Sequence, residues 1–294
     1  MSDKYHEAVN ASSVLTDDVA VKNAVAKILA DNLESCRNQE ALKTIFSCID
    51  LTTLHSTDSQ SSVADFTERV NAFEEEHPEL PSVAAICVYP NFTPVVRAVL
   101  EVSSVKIAAV SGGFPSSQTF PEVKEVETAL AVEGGADEID IVLDLGAFLS
   151  GDWEEVSDNI NELKHACRDA ALKVILETGA LKTAENIRNA AVLAIYSGAD
   201  FIKTSTSKEY PGASLEAAYV MCRVIKEYYE KHGRMIGFKA AGGIASTEDA
   251  LAYYCIVRNV LGDEWLNSNY FRIGASRLAN NLLSDILGAE TKFF

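Results

Sequence analysis

Long apolar runs are missing from this chain. Nowhere does it approach the roughly 18 consecutive apolar residues of a membrane-spanning helix. The opening stretch MSDKYHEAVNASSVL has no apolar core of the kind a secretory signal carries. Both absences lead us to expect a cytoplasmic protein with no membrane partner. Positive charge is scarce as well: 25 Lys and Arg stand against 43 Asp and Glu, a net charge of −18. That balance disfavours nucleic acid and anionic lipid as partners. Any anionic ligand must then be held by a local positive site working against the field of the whole molecule. Metal-ligand spacing is absent too. The six cysteines (Cys36, Cys48, Cys87, Cys167, Cys222 and Cys255) form no C-x-x-C, and the five histidines form no H-x-H or H-x-x-x-H. Reduced thiols and no metal centre are expected.

Short β-rich runs alternate with amphipathic helical stretches. Strands are predicted at 46–53, 82–90, 105–113, 137–144, 172–179, 200–206, 234–243 and 270–276. Helices are predicted at 61–76, 93–102, 121–135, 152–171, 183–198, 214–233, 246–261 and 277–287. In the first of these helices Val63, Phe66, Val70 and Phe73 share a face. Pro94 lies in a first helical turn, and Ser246 with Asp249 forms a relative of the capping box. Eight strand–helix units with continuously apolar strands predict an α/β fold, a (β/α)8 TIM barrel. An open doubly wound sheet is disfavoured, because LHSTDSQ after the first strand carries no dinucleotide or P-loop glycine pattern. Residues 1–40 are expected to form a helical extension, with a helix at 17–33 over the barrel bottom or an edge. Residues 41–294 would form the barrel with a short C-terminal tail. The outer helices of such a barrel would allow a homodimer.

In such barrels chemistry sits at the C-terminal ends of the strands. The polar residues predicted there are Asp50 and Thr52, Cys87, Asp140, Lys203 and Lys239. Side chains alternate along a strand, so Lys203 and Lys239 can both point inward and lie close together. Two ammonium groups in one cavity each favour the neutral form of the other, and burial pushes the same way. An amine with its pKa lowered to roughly 7–8 can attack a carbonyl and form an iminium, an electron sink for cleaving the adjacent C–C bond. Asp140 and Asp50 could relay protons and keep the second lysine charged. These are the parts of a Schiff-base aldolase, which requires neither metal nor organic cofactor. The competing reading is a structural ion-pair network. Gly242 and Gly243 precede one helix and Gly274 another, and backbone N–H groups at such helix starts bind phosphate. Ser276, Lys208 and Arg277 could add a hydroxyl and charge.

The blocks CIDLTTL (48–54), AAICVYP (84–90), GADEIDIV (135–142), KVILETG (173–179), GADFIKTSTSK (198–208), GFKAAGG (237–243) and RIGAS (272–276) resemble the motifs of the deoxyribose-phosphate aldolase family. The resemblance runs from about residue 41 to 288. It implies reversible cleavage of 2-deoxy-D-ribose 5-phosphate to D-glyceraldehyde 3-phosphate and acetaldehyde. Lys203 would form the Schiff base, and Lys239 would lower its pKa. Asp140 would act with a water in proton transfer, and Asp50 would hold Lys239. Thr206 and Lys208 would contact the hydroxyl or phosphate end of the substrate. Gly242, Gly243, Gly274 and Ser276 would cradle the phosphate, while Cys87 lines the pocket as a bystander thiol. The chain departs from the better-known bacterial pattern at several positions. Ser207 stands for a common Gly, Ala240 for a common Pro, Ala245 for a frequent basic residue and Arg277 for a small polar one. The positive partner of the phosphate would then have moved from one loop to the other. Some members end in a tyrosine that reaches the active site, whereas this chain ends in Phe294. Two alternatives stay open: another Schiff-base barrel aldolase with a larger carbonyl donor, and a non-catalytic sugar-phosphate-binding barrel.

Overall fold

The computed structural model describes residues 4–294. Eight parallel strands close into one barrel in sequence order. They are β1 (Ile49–Thr52), β2 (Ala85–Val88), β3 (Lys106–Ser111), β4 (Glu138–Val142), β5 (Ala171–Ile175), β6 (Phe201–Lys203), β7 (Gly237–Ala241) and β8 (Phe271–Ala275). The first and last strands pair at Asp50 and Gly274, which closes the sheet without a free edge. One face of every strand packs against the surrounding helices, and Ile49, Leu51, Ile86, Ile107, Ile139, Val174 and Ile202 are fully buried there.

The polar residues at the strand ends are carried by the other face, which points into the barrel. Register sets their heights: Lys203 pairs with Lys239, Asp140 with Lys173, and Phe201 with Gly237. A Cβ at residue 237 would lie 2.2 Å from the Phe201 ring, so glycine is what lets that ring cross the barrel. The ring forms an apolar floor, with the Lys173 ammonium 5.8 Å and the Arg272 guanidinium 5.7 Å from its centroid.

Several boundaries differ from the predicted ones. Residues 46–47 end the helix Gln39–Ser47 rather than open β1. Ala41, Leu42, Ile45 and Phe46 bury a helical face, and the apolar run passes into the strand without a polar break. Strands β5 and β6 stop at Ile175 and Lys203, earlier than predicted, because the chain turns into the short helix Thr178–Leu181 and into the 204–214 loop. The helix Asp18–Asn32 joins the outer layer of helices. It packs outside the ring, against the helices Leu215–His232 and Thr247–Val260, where Val21 and Val25 are buried. A further helix, Lys4–Ala11, packs on Ala184–Tyr196. The Ser246–Asp249 capping box forms as predicted.

Candidate active site

Lys203 is the last residue of β6, and the strand delivers its ammonium to the floor of an open cleft of about 280 Å³. Nine of the candidate site residues line this cleft: Thr52, Lys203, Thr206, Lys208, Gly242, Gly243, Gly274, Ser276 and Arg277. Asp50, Asp140, Lys239 and Cys87 lie beneath it, each at most 1 % exposed. His55, Ser207 and Ala245 also line it.

The buried layer is an ion network. Lys203 Nζ and Lys239 Nζ each donate to Asp140 Oδ2 at 2.8 Å. Lys239 also donates to Asp50 Oδ2. Sequence reading missed three further members. Lys173 on β5 donates to Glu138 Oε2 at 2.5 Å and to Asp50 Oδ2 at 3.3 Å. Arg272 on β8 holds Asp50 Oδ1 at 2.5 Å and Glu138 Oε1 at 2.6 Å. Glu138 opens β4, Lys173 lies in the middle of β5 in register with Asp140, and Arg272 lies on β8 in register with Lys239. Their signal was a charge inside an otherwise apolar strand, as in LKVI and FRIGA.

Three carboxylates (Asp50, Glu138, Asp140) face four basic groups (Lys173, Lys203, Lys239, Arg272). Six of the seven balance as ions, and the layer becomes neutral when the seventh gives up its proton. Lys203 is the one of the four basic groups whose pKa is lowered. Burial, opposed by Asp140 and reinforced by the charge of Lys239, lowers its pKa. Mutual lowering of the two lysines, expected from like charge, does not occur. Burial disfavours the Lys239 ammonium too, but Asp140 and Asp50 outweigh it and raise its pKa. Burial likewise works against the Asp140 carboxylate, yet Lys173, Lys203 and Lys239 hold it well below the usual range. Lys173 lies 3.1 Å from Asp140 Oδ1 but off the hydrogen-bonding direction, so this buried oxygen accepts no hydrogen bond among the described residues. Burial pushes the Cys87 thiol up, which keeps it protonated and unreactive.

The two glycine loops differ. The helix Thr247–Val260 starts four residues beyond Gly243, and its first turn is closed by its own capping box, Ser246 with Asp249. The donors on this side belong to the loop itself, where Gly242 and Gly243 take φ of +93° and +81°. The helix Arg277–Leu287 is different: Ser276 makes no side-chain cap, so its hydroxyl and the open helix start face the cleft. Gly274 has a second reason to be glycine, since a Cβ there would come within 3.2 Å of the Lys239 stem. Ser207 takes φ +64°, a backbone that favours the glycine common at this position in the family it resembles. Lys208 Nζ spans the cleft to the Leu54 carbonyl at 2.6 Å. Phe294 stays outside the cleft: its ring packs on Phe73 at 5.2 Å, and its N–H donates to Asn280 Oδ1 at 3.0 Å.

Among the described residues, no group of three or more His, Cys, Asp or Glu is placed to hold a metal ion, and all six cysteines are free. Among the described residues, no helix is long and apolar enough to cross a membrane.

The chain is similar to known proteins along most of its length. Residues 44–253 match the sequence profile described as DeoC/LacD family aldolase. The deoxyribose-phosphate aldolase of Homo sapiens is 42% identical over 248 residues, covering 81% of this chain and 77% of the human protein. A Caenorhabditis elegans relative is 42% identical over 275 residues, covering 92% of this chain and 89% of its own. Among solved structures, the tetrameric deoxyribose phosphate aldolase of Aeropyrum pernix superposes with a TM-score of 0.66 at 26% identity, covering 88% of this chain and 96% of that one. With a closed eight-stranded barrel and this similarity along most of its length, the chain belongs to the DeoC/LacD aldolase family.

Proposed function

We propose that this protein is a deoxyribose-phosphate aldolase, a lyase that reversibly cleaves 2-deoxy-D-ribose 5-phosphate to D-glyceraldehyde 3-phosphate and acetaldehyde. The observation that carries it is Lys203, the one basic group of the buried layer whose pKa burial and Lys239 bring down, at the floor of the cleft. The neutral amine attacks C1 of the open-chain sugar, and loss of water gives the iminium. Asp140, acting with a water, takes the C3 hydroxyl proton. The C2–C3 bond breaks, its electron pair moves into the enamine, and the aldehyde of glyceraldehyde 3-phosphate leaves. Protonation of the enamine carbon and hydrolysis release acetaldehyde and return Lys203. Lys239, kept charged by Asp50 and Asp140, stabilises the charge that moves through this layer. The phosphate lies between the Gly242–Gly243 loop and the Ser276–Arg277 helix start, with Arg277 and Lys208 supplying positive charge. The unphosphorylated end passes Thr52 and Cys87. Cytoplasmic location and assembly as a homodimer complete the proposal, and fractionation and sedimentation velocity test them.

Borohydride trapping with acetaldehyde, read by intact and peptide mass, tests the proposal. An ethyl adduct on Lys203, absent in Lys203→Ala, is the expected result. A folded protein that gives no adduct with acetaldehyde would overturn it. An adduct only with larger carbonyl donors would move the assignment to another Schiff-base aldolase.

A further inference from the structure

Glu177 is a buried carboxylate outside the ion network, 2 % exposed, between β5 and the helix Thr178–Leu181. Its backbone is left-handed, with φ +54° and ψ +58°, an unfavourable conformation for a residue with a Cβ. Neighbouring backbone bonds hold it there. Leu176 N–H donates to the Lys203 carbonyl and Thr178 N–H to the Thr204 carbonyl, each at 2.9 Å. In this position the carboxylate grips one residue twice. Oε1 accepts the Thr206 N–H at 3.2 Å, and Oε2 accepts the Thr206 hydroxyl at 2.5 Å. Burial pushes the Glu177 carboxyl up, and both Thr206 bonds and the charge of Lys203 oppose it.

A hydroxyl has one proton to give. That of Thr206 is spent on Glu177. The Lys208 N–H also donates into Thr206 Oγ1, at 3.3 Å. What Oγ1 can still offer to the cleft is a lone pair. An ionised phosphate oxygen would face that lone pair unfavourably, whereas a hydroxyl could donate to it.

We propose that Glu177 is a positioning residue that turns Thr206 Oγ1 into a hydrogen-bond acceptor toward the cleft, so that Thr206 selects for a hydroxyl of the bound sugar phosphate rather than for its phosphate. This rests on the proposed function for the identity of the ligand, and it narrows the expectation that Thr206 touches either end of the substrate.

The test uses ligands that carry no carbonyl and so form no imine. They are the alcohol obtained by reducing D-glyceraldehyde 3-phosphate, its deoxy counterpart 1,3-propanediol monophosphate, and the counterpart with fluorine at the hydroxyl position. Affinities are measured by titration calorimetry. In the wild-type protein the hydroxyl ligand should bind about threefold to tenfold more tightly than the deoxy ligand, the usual worth of one hydrogen bond. The fluoro ligand, which cannot donate, should bind no better than the deoxy one. Glu177→Gln keeps the shape and the bond from Thr206 N–H. Its amide donates to Oγ1 and frees the hydroxyl proton toward the cleft, so the fluoro ligand, which can only accept, should gain on the deoxy one and the lead of the hydroxyl ligand over the fluoro ligand should shrink. A fluoro ligand preferred over the deoxy one in wild type overturns the proposal without any variant. Equal weakening of all three ligands in Glu177→Gln means that Glu177 only supports the loop. Failure of the aldolase assignment shows separately, as absence of the trapped adduct on Lys203.

Discussion

Lys203 and Lys239 stand side by side in register on β6 and β7, and both donate to a single oxygen, Asp140 Oδ2, at 2.8 Å. The shared acceptor does not treat them equally. Lys239 has Asp50 as a second carboxylate and stays charged, while Lys203 has none and is the one that reaches the cleft.

The pH profile should report this asymmetry. Lys203 must be neutral to attack, and the charge of Lys239 lowers its pKa. Lys239→Leu removes that charge and leaves Asp140 to favour the Lys203 ammonium. The acidic limb of kcat/KM should move to higher pH, and activity at neutral pH should fall by about 10²-fold or more, in the range of a lost acid–base group. A limb that stays in place would show that Lys239 does not tune Lys203.

Acid should destabilise the fold through the same layer. Lys173, Lys239 and Arg272 overcome burial and hold the Asp50 carboxyl well below its ordinary range, and Asp140 behaves likewise. Their folded pKa values lie below the unfolded value of about 3.9. The stabilisation is therefore complete above about pH 5 and is lost as pH falls through the folded values. Asp50→Asn should cost about 3–5 kcal/mol at pH 7, since it breaks a buried paired set, and should flatten the acid dependence. Urea unfolding at a series of pH values measures both.

Gly237→Ala should destabilise by about 1–3 kcal/mol, because the added carbon overpacks the Phe201 ring. Phe201→Leu in the same chain should recover part of the loss, a coupling that a double-mutant cycle reads directly. Additive losses would mean that the ring and the glycine do not meet.

Arg277→Ala should raise KM for 2-deoxyribose 5-phosphate about tenfold, the worth of a charge-assisted hydrogen bond, and leave KM for unphosphorylated 2-deoxyribose unchanged. Equal effects on the two substrates would remove Arg277 from the phosphate site. Ala245 lines the same cleft without charge, whereas Arg277 and Lys208 line it with a positive one.

Much of this protein was written locally. The alternation of short apolar runs with amphipathic stretches determined a parallel barrel, since each unit is legible within about 30 residues and chain geometry allows few ways to close eight of them. Strand periodicity put Lys203 and Lys239 on inward faces, and the blocks around them carried the family. Element ends were less legible. The helix ending at Ser47 runs into β1 through apolar residues, and only hydrogen bonding separates the two.

Three-dimensional closure decided the rest. Arg272 meets Asp50 across 222 residues and Glu138 across 134, and Lys173 meets Asp50 across 123. No local pattern records such distances, so these three residues passed as ordinary strand charges. The sign of each lysine's shift was hidden for the same reason. Like-charge repulsion can be anticipated from two neighbouring lysines, but which of them wins the second carboxylate depends on where β1 falls in the ring. Glu177 is a further case: its carboxylate sets the polarity of Thr206, 29 residues away, through a backbone conformation that only the packed barrel can hold. Sequence determines which side chains face inward because alternation is local. Tertiary structure decides their charge states because electrostatic energy depends on distances between strands, which exist only once the barrel has closed.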